Sequence, residues 1–169
     1  MKKVIIVCLT AMLLIACQKP APKQYFTEAP EIDLIKSNVG YYLSGDWEGL
    51  KSTYIDTAKI YHNSTSAVNV DISIEQLKED IQMLSNYVMK DSIFYEMVVE
   101  DDGDRWVNMW GNWQGTIAGS EKVVEVPIHI TSKIKDNKII EEYGYWDNMP
   151  IYMAVKEASK EEAIEAQEE

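Results

Sequence analysis

Cysteine is scarce in this sequence of 169 residues, which has only Cys8 and Cys17. The rest of the chain therefore has no disulfide framework and no cysteine metal site, so its fold must depend on an apolar core. Basic residues are also few: 16 Lys and Arg stand against 28 Asp and Glu, a net charge of −12. Because an acidic surface repels phosphate groups, we do not expect nucleic acid or anionic headgroups as partners.

Several signatures of catalysis and cofactor binding are missing as well. The sequence contains no glycine-rich phosphate loop, no nucleophile elbow and no His-x-x-x-His pair. Such motifs hold nucleotides, activate serine nucleophiles and bind metal ions. The two histidines, His62 and His129, lie far apart in the sequence. We therefore expect neither a cofactor nor a metal ion.

An apolar run covers residues 4–16 and follows the basic pair Lys2-Lys3. It is shorter than the ~20 apolar residues of a membrane-spanning helix and is typical of a signal peptide. The run ends in Leu-Ile-Ala before Cys17, which resembles a bacterial lipobox; the alternative is an ordinary secretory signal with an incidental cysteine. We predict a signal peptide over 1–16, acylation of Cys17 and a flexible tether over 17–29. The resemblance implies an exported, lipid-anchored envelope protein, on the outer membrane if the source has two.

Helical periodicity follows the tether. A first helix is predicted from Pro30, and Asp46 is positioned to cap a second, short helix over 47–54. Ser73 and Gln76 have the spacing of a capping box and predict the start of a third helix. Its apolar stripe comprises Ile74, Leu77, Ile81, Leu84 and Val88.

Strand patterns occupy most of the second half. We predict a short strand over 58–62 and four long antiparallel strands over 92–100, 105–113, 123–135 and 138–146. Asp136-Asn137 marks a tight hairpin between the last two. These elements predict an α+β domain over 30–150, in which about three N-terminal helices cover one face of a curved antiparallel sheet. The acidic tail over 151–169 is predicted to be a solvated helix or a frayed end.

Three segments carry a family resemblance: Leu-Ser-Gly-Asp-Trp over 43–47, the Tyr-Ile-Asp-Thr-Ala stretch over 54–58 with its following strand, and Lys-Asp-Asn-Lys-Ile over 135–139. In this order they resemble the nuclear transport factor 2-like superfamily and its SnoaL-like domains. Asn137 replaces the family's usual Gly, and Asn tolerates the same left-handed backbone. The resemblance implies a cone-shaped sheet with a pocket at its wide end. Members include isomerases, dehydratases, cyclases and binding domains, so the pocket is implied but the reaction is not.

His62 is the first candidate catalytic residue. The resemblance places it where ketosteroid isomerases carry a carboxylate base, and a histidine can act as a general base near neutral pH. Glu141 and Asp147 share strand parity with Ile139, so they would face the cavity if Ile139 does. One of them could then orient His62 or act as an acid. The alternatives are a structural histidine and, for Asp147, a cap at the strand end.

Tryptophans and tyrosines cluster on adjacent predicted strands. Trp106 and Trp110 share one strand face and, with Tyr143 and Tyr145, are candidates to bind a flat apolar ligand; Trp113 has the opposite parity. The alternative is that these rings form the core or a homodimer surface. His129 alternates with isoleucines and is expected to point outward as a structural or interfacial residue.

Three functions remain open. The leading interpretation is a domain that binds a small apolar or aromatic molecule. The second is a cofactor-free isomerase, dehydratase or cyclase, and the third is a dimerising interaction module. A cavity that holds His62 within hydrogen-bond reach of a carboxylate would favour the enzyme.

Overall fold

A computed structural model describes residues 23–168, without the side chains of 162, 163 and 165–168. The predicted signal peptide, Cys17 and most of the tether lie outside the described residues. Within the described range, no helix is both long enough and apolar enough to cross a membrane.

Six strands and four helices make up the described chain. In chain order they are β1 (Tyr25–Phe26), α1 (Pro30–Ser44), α2 (Trp47–Ser52), β2 (Tyr54–His62), α3 (Val70–Ile81), β3 (Leu84–Val99), β4 (Arg105–Ile117), β5 (Val123–Lys135), β6 (Lys138–Trp146) and α4 (Met149–Glu168). The architecture is the α+β class that the sequence predicts, and the bounds of β5 and β6 match the prediction.

A single curved sheet carries all the strands in the order β1-β3-β4-β5-β6-β2. Strands β3 to β6 are antiparallel neighbours, as predicted, whereas the edge strand β2 runs parallel to β6. This parallel pairing aligns His62, the last residue of β2, with Gly144 near the end of β6. The order therefore brings two segments about 80 residues apart in sequence into contact at one edge of the sheet.

Local sequence signals explain the first two helices. Pro30 occupies the first turn of α1, where its missing N–H costs nothing. Gly45 ends α1 at φ +69°, a left-handed conformation that glycine adopts without a steric penalty. Asp46 then caps α2 by accepting a hydrogen bond from the Gly49 N–H at 2.8 Å, as predicted. The buried stripe Ile32, Ile35 and Val39 faces the sheet.

The third helix differs from the prediction at both ends. Its N-cap is Asn69, whose side chain accepts a hydrogen bond from the Ile72 N–H at 2.9 Å, and Ser73 is buried inside the helix. The helix ends at Ile81, so Leu84 and Val88 belong to β3. There Leu84 pairs with Ile117 of β4. Sheet pairing thus overrides a helical pattern that was continuous in sequence.

A bulge in β6 determines which side chains face the helices. Ile139 pairs with Ile134, but Glu141 pairs with Lys133, so Ile140 is an extra residue on its strand. An extra residue reverses the alternation of faces beyond it. Immediately before β6, Asp136 and Asn137 both have positive φ, which fits a type I′ hairpin turn.

The core lies between the concave face of the sheet and the helices. One buried cluster joins α1, α2 and α3 to the sheet, and a second contains Trp113, Ile117, Val124, Val126 and Ala158. Ala158 belongs to α4, so this helix packs on the sheet. The segment predicted as a tail therefore contributes to the core, although Tyr152, Met153 and Ile164 of this helix are exposed.

Candidate functional site

A cavity of about 290 Å³ lies between the concave face of the sheet and the four helices. This volume is at the lower end of the usual range for small-molecule sites. Most of its wall is apolar: Val39, Leu50, Leu77, Ile81, Met83, Leu84, Met89, Met109, Val126, Ile128, Ile130, Ile151 and Val155. The remaining lining residues are polar or aromatic and define the chemistry of the site.

Glu142 is the polar centre of the cavity. Its carboxylate is 4% exposed and accepts three hydrogen bonds from side chains. Tyr54 Oη donates to Oε1 at 3.0 Å, Ser132 Oγ lies 2.9 Å from Oε2, and His62 Nε2 lies 3.0 Å from Oε1. A buried charge is costly unless it is bonded in this way, and these donors hold the carboxylate in one orientation.

His62 lies at the end of β2 with 15% of its side chain exposed. Donation of the Nε2 hydrogen to Glu142 leaves the lone pair of the neutral ring on Nδ1. Nδ1 forms no hydrogen bond with any other described residue. Trp146 packs against the imidazole edge with ring centroids 5.2 Å apart. His62 therefore has a fixed orientation in the cavity wall, with Nε2 bonded to Glu142.

Gly144 makes the close packing of His62 and Trp146 possible. A Cβ atom at this position would lie 2.7 Å from Cδ2 of His62 and 2.6 Å from Cζ3 of Trp146. Both distances are shorter than a carbon–carbon contact allows, so both rings would have to move. Glycine is required here for space rather than for backbone conformation.

Tyr54 remains a hydrogen-bond donor to Glu142. Burial and the negative charge of Glu142 raise the pKa of the Tyr54 phenol well above 10. The hydroxyl is therefore protonated at any physiological pH.

Tyr42 and Trp113 form part of the aromatic wall. The indole Nε1 of Trp113 donates to Tyr42 Oη at 3.2 Å, and Tyr87 Oη donates to the Tyr42 carbonyl at 3.2 Å. Burial is the main reason that the pKa of Tyr42 rises to about 12. This network holds both rings against the ligand space.

The predicted direction of Glu141 is wrong. Because the bulge at Ile140 reverses the alternation, Ile139 and Glu142 both face the helices, and Glu141 faces away from them. There it accepts a hydrogen bond from Tyr143 Oη at 2.7 Å, which raises the pKa of Tyr143 to about 12. Asp147 is also absent from the cavity wall and accepts a hydrogen bond from the Met149 N–H at 2.9 Å, at the start of α4. The capping alternative for Asp147 agrees with this geometry.

The four aromatic residues proposed as ligand contacts are also outside the cavity wall. Trp106, Trp110, Tyr143 and Tyr145 lie on the convex face of the sheet. Trp110 stacks on His129 with centroids 4.7 Å apart, and Trp106 packs against Tyr143. Strand alternation places His129 on this face, as expected from its isoleucine neighbours.

Sequence reasoning missed the polar centre and much of the aromatic wall. Glu142 and Ser132 gave no motif, and the bulge that turns Glu142 inward has no clear signal beyond the Glu141-Glu142 pair itself. Strand parity does distinguish Trp113 from the other two tryptophans of β4, because Trp113 lies on the opposite face from Trp106 and Trp110. The same bulge turns Trp146 inward, and the α4 residues that line the cavity, Ile151, Tyr152 and Val155, could not be placed without the packing of α4.

A group of acidic residues lies in the turn between β3 and β4. Among the described residues, Glu100, Asp102 and Asp104 are the ones whose ligand atoms approach closely enough to hold a metal ion. All three are outside the cavity wall, and Asp104 forms an ion pair with Lys133. The cavity itself offers one histidine and two carboxylates, Glu142 and Asp80, and Glu142 already has three donors.

Comparison with solved structures identifies the architecture. A protein of Jannaschia sp. CCS1 assigned as a SnoaL-like polyketide cyclase is 17% identical, with a TM-score of 0.60 over 82% of this chain and 96% of its own. IdmH of Streptomyces antibioticus, assigned as a polyketide cyclase, is 17% identical, with a TM-score of 0.59 over 75% and 97%. A nuclear transport factor 2-like protein of Burkholderia xenovorans LB400 is 10% identical, with a TM-score of 0.58 over 77% and 99%.

This chain has the nuclear transport factor 2-like fold in its SnoaL-like form. At these identities the likeness establishes the fold and not the activity. No protein-family model matches the sequence. No curated protein matches it either.

Proposed function

We propose that the cavity binds a small, mostly apolar molecule and that His62 and Glu142 transfer a proton on it. One observation carries the proposal: Nε2 of His62 lies 3.0 Å from a buried carboxylate in a mostly apolar cavity. This arrangement favours an enzyme over a plain binding domain. An apolar wall alone would require no oriented histidine.

The geometry assigns a role to each group. Glu142 accepts the Nε2 hydrogen, so the Nδ1 lone pair of His62 removes a proton from the substrate. The imidazolium that forms is stabilised by the negative charge of Glu142 at 3.0 Å. Tyr54 and Ser132 keep that carboxylate in place. His62 then returns the proton from Nδ1 to another atom of the same substrate, so atoms and charge balance without a cofactor.

Removal of a proton beside a carbonyl group is the first step that isomerisation, dehydration and aldol cyclisation share. IdmH and the Jannaschia protein carry assignments as polyketide cyclases. Their names support a cyclic or cyclising carbonyl compound as the substrate class of this cavity.

A model carbon acid tests the proposal without the natural substrate. 2-Tetralone is an apolar bicyclic ketone whose α-protons exchange with D₂O, and exchange is followed by proton NMR. We expect the purified protein to accelerate exchange, and His62→Gln and Glu142→Gln to lose most of the acceleration. His129→Gln is the matched control, because it alters a histidine on the opposite face of the sheet. Equal rates for His62→Gln, His129→Gln and the parent protein would refute the mechanism.

The convex face of the sheet favours a second candidate function, self-association. Phe94, Trp110, His129 and Tyr145 form a row of rings across four strands, and the two end rings are each 52% exposed. Exposed apolar patches of this kind are typical of protein interfaces. Sedimentation velocity over a concentration series should give a dimer that Tyr145→Glu dissociates. A monomer at every concentration would remove this candidate.

The sequence supports a further proposal on location. The basic pair, the apolar run and Leu-Ile-Ala-Cys predict a lipid anchor at Cys17 in the cell envelope. Labelling cells with an alkyne fatty acid tests it: the chain should be labelled, and Cys17→Ala should not. Labelling of Cys17→Ala would contradict the anchor.

A further inference from the structure

The charged side chains of the cavity wall are acidic, apart from the titratable His62. Among the described residues, two carboxylates line the cavity, Glu142 and Asp80, whereas no lysine or arginine does. Glu142 is occupied by its three donors. Asp80 is exposed at the C-terminal end of α3, and its carboxylate forms no hydrogen bond or ion pair with any other described residue. An uncompensated carboxylate at the rim of an apolar cavity attracts positive charge and repels negative charge.

Aromatic rings extend the preference for positively charged ligands into the cavity. Tyr42, Trp113, Trp146 and Tyr152 all contribute to the wall. The faces of such rings carry partial negative charge and bind ammonium groups, most strongly where water is excluded. The described wall residues include no lysine or arginine that would pair with a ligand anion. The lining therefore suits a cation that is also apolar.

Two further observations agree with this electrostatic preference. Partial burial raises the pKa of the Asp80 carboxyl, the negative charge of Glu79 raises it further, and His62 lowers it, so positive charge nearby stabilises the ionised carboxylate. The chain as a whole has a net charge of −12, which attracts cations at long range.

We propose that the cavity selects an organic cation, namely a protonated amine or quaternary ammonium group attached to an apolar body. The ammonium group lies between Asp80 and the aromatic rings, and the apolar body occupies the remaining wall. This inference rests on the proposed function and names the ligand class of the same site.

A pair of ligands that differ only in charge tests the inference. 3-Hydroxyphenyltrimethylammonium and 3-tert-butylphenol have the same shape, and calorimetric titration gives the affinity of the purified protein for each. Asp80→Asn removes the carboxylate at nearly constant volume. Asp56→Asn is the matched control, because Asp56 is exposed on β2 and outside the cavity wall.

We expect the ammonium compound to bind the parent protein about fivefold more tightly than the phenol, since a charge pair at a partly hydrated rim contributes about 1 kcal/mol. Asp80→Asn should abolish most of this preference, and Asp56→Asn should retain it. Equal or tighter binding of the phenol would overturn the cation while leaving the cavity as a ligand site. Equal losses in the two variants would overturn the role of Asp80. Absence of binding by both compounds would overturn the inference and the proposed cavity function together.

Discussion

Replacement of Glu142 by alanine is the most informative single perturbation of the site. The change removes a carboxylate that accepts hydrogen bonds from Tyr54, Ser132 and His62. Each hydrogen bond to a charged group contributes about 1.5–3 kcal/mol net. Truncation leaves these three donors without their acceptor in a mostly apolar environment.

The expected loss is smaller than three independent bonds would give. Removing the carboxylate also removes the cost of burying its charge, and water can enter the space that it leaves. We therefore expect Glu142→Ala to lower the free energy of unfolding by about 2–4 kcal/mol. For a domain of this size, each kcal/mol corresponds to roughly 3 °C in the melting temperature, so Tm should fall by roughly 6–12 °C.

Denaturant and thermal unfolding followed by tryptophan fluorescence and circular dichroism measure the effect. Glu141→Ala is a matched control on the adjacent residue, whose carboxylate, among the described residues, bonds only to Tyr143 on the convex face. The control should cost less than about 1 kcal/mol, as is typical of partly exposed interactions. Equal losses in the two variants, or a gain in stability in Glu142→Ala, would refute the assignment of Glu142 as the bonded centre of the cavity.

Three further predictions follow from the packing and the titration of particular residues. Gly144→Ala should slow ketone exchange at least severalfold, because its Cβ would lie 2.7 Å from Cδ2 of His62; unchanged kinetics would contradict this contact. In His129→Phe, stability should decline less as pH falls below about 6.5 than in the parent protein. Burial lowers the pKa of His129, so its protonation favours the unfolded chain, and an identical pH dependence in both proteins would be contrary evidence. Asn69→Ala should lower the free energy of unfolding in a denaturant titration by about 1 kcal/mol, because α3 loses its cap. A change near zero would instead favour Ser73 as the N-cap.

Much of the fold could be predicted from local sequence because each signal has a local physical cause. Asp136-Asn137 favours positive φ and defines the last hairpin, and Pro30 and Asp46 mark helix starts. The third helix was misplaced because its periodic stripe continues into β3, where pairing with β4 is a long-range interaction. Local propensity contains no information on such a partner.

The site was predicted less completely, since single-residue shifts matter more there. His62 was found through the family resemblance, which implies a base at the end of this strand, and the structure places it in the cavity. Its partner was misassigned by one position, because strict alternation from Ile139 fails at the bulge of Ile140. The geometry brings His62 together with Glu142, and it does not bring it together with Glu141 or Asp147.

The protonation state of His62 tests the central claim most directly. Long-range proton–nitrogen correlation spectra of the labelled protein distinguish a protonated ring nitrogen from one that carries a lone pair. At a pH where the ring is neutral, the account predicts hydrogen on Nε2, which Glu142 accepts, and a bare Nδ1. A hydrogen on Nδ1 instead, or a spectrum that Glu142→Gln leaves unchanged, would contradict the proposed proton transfer.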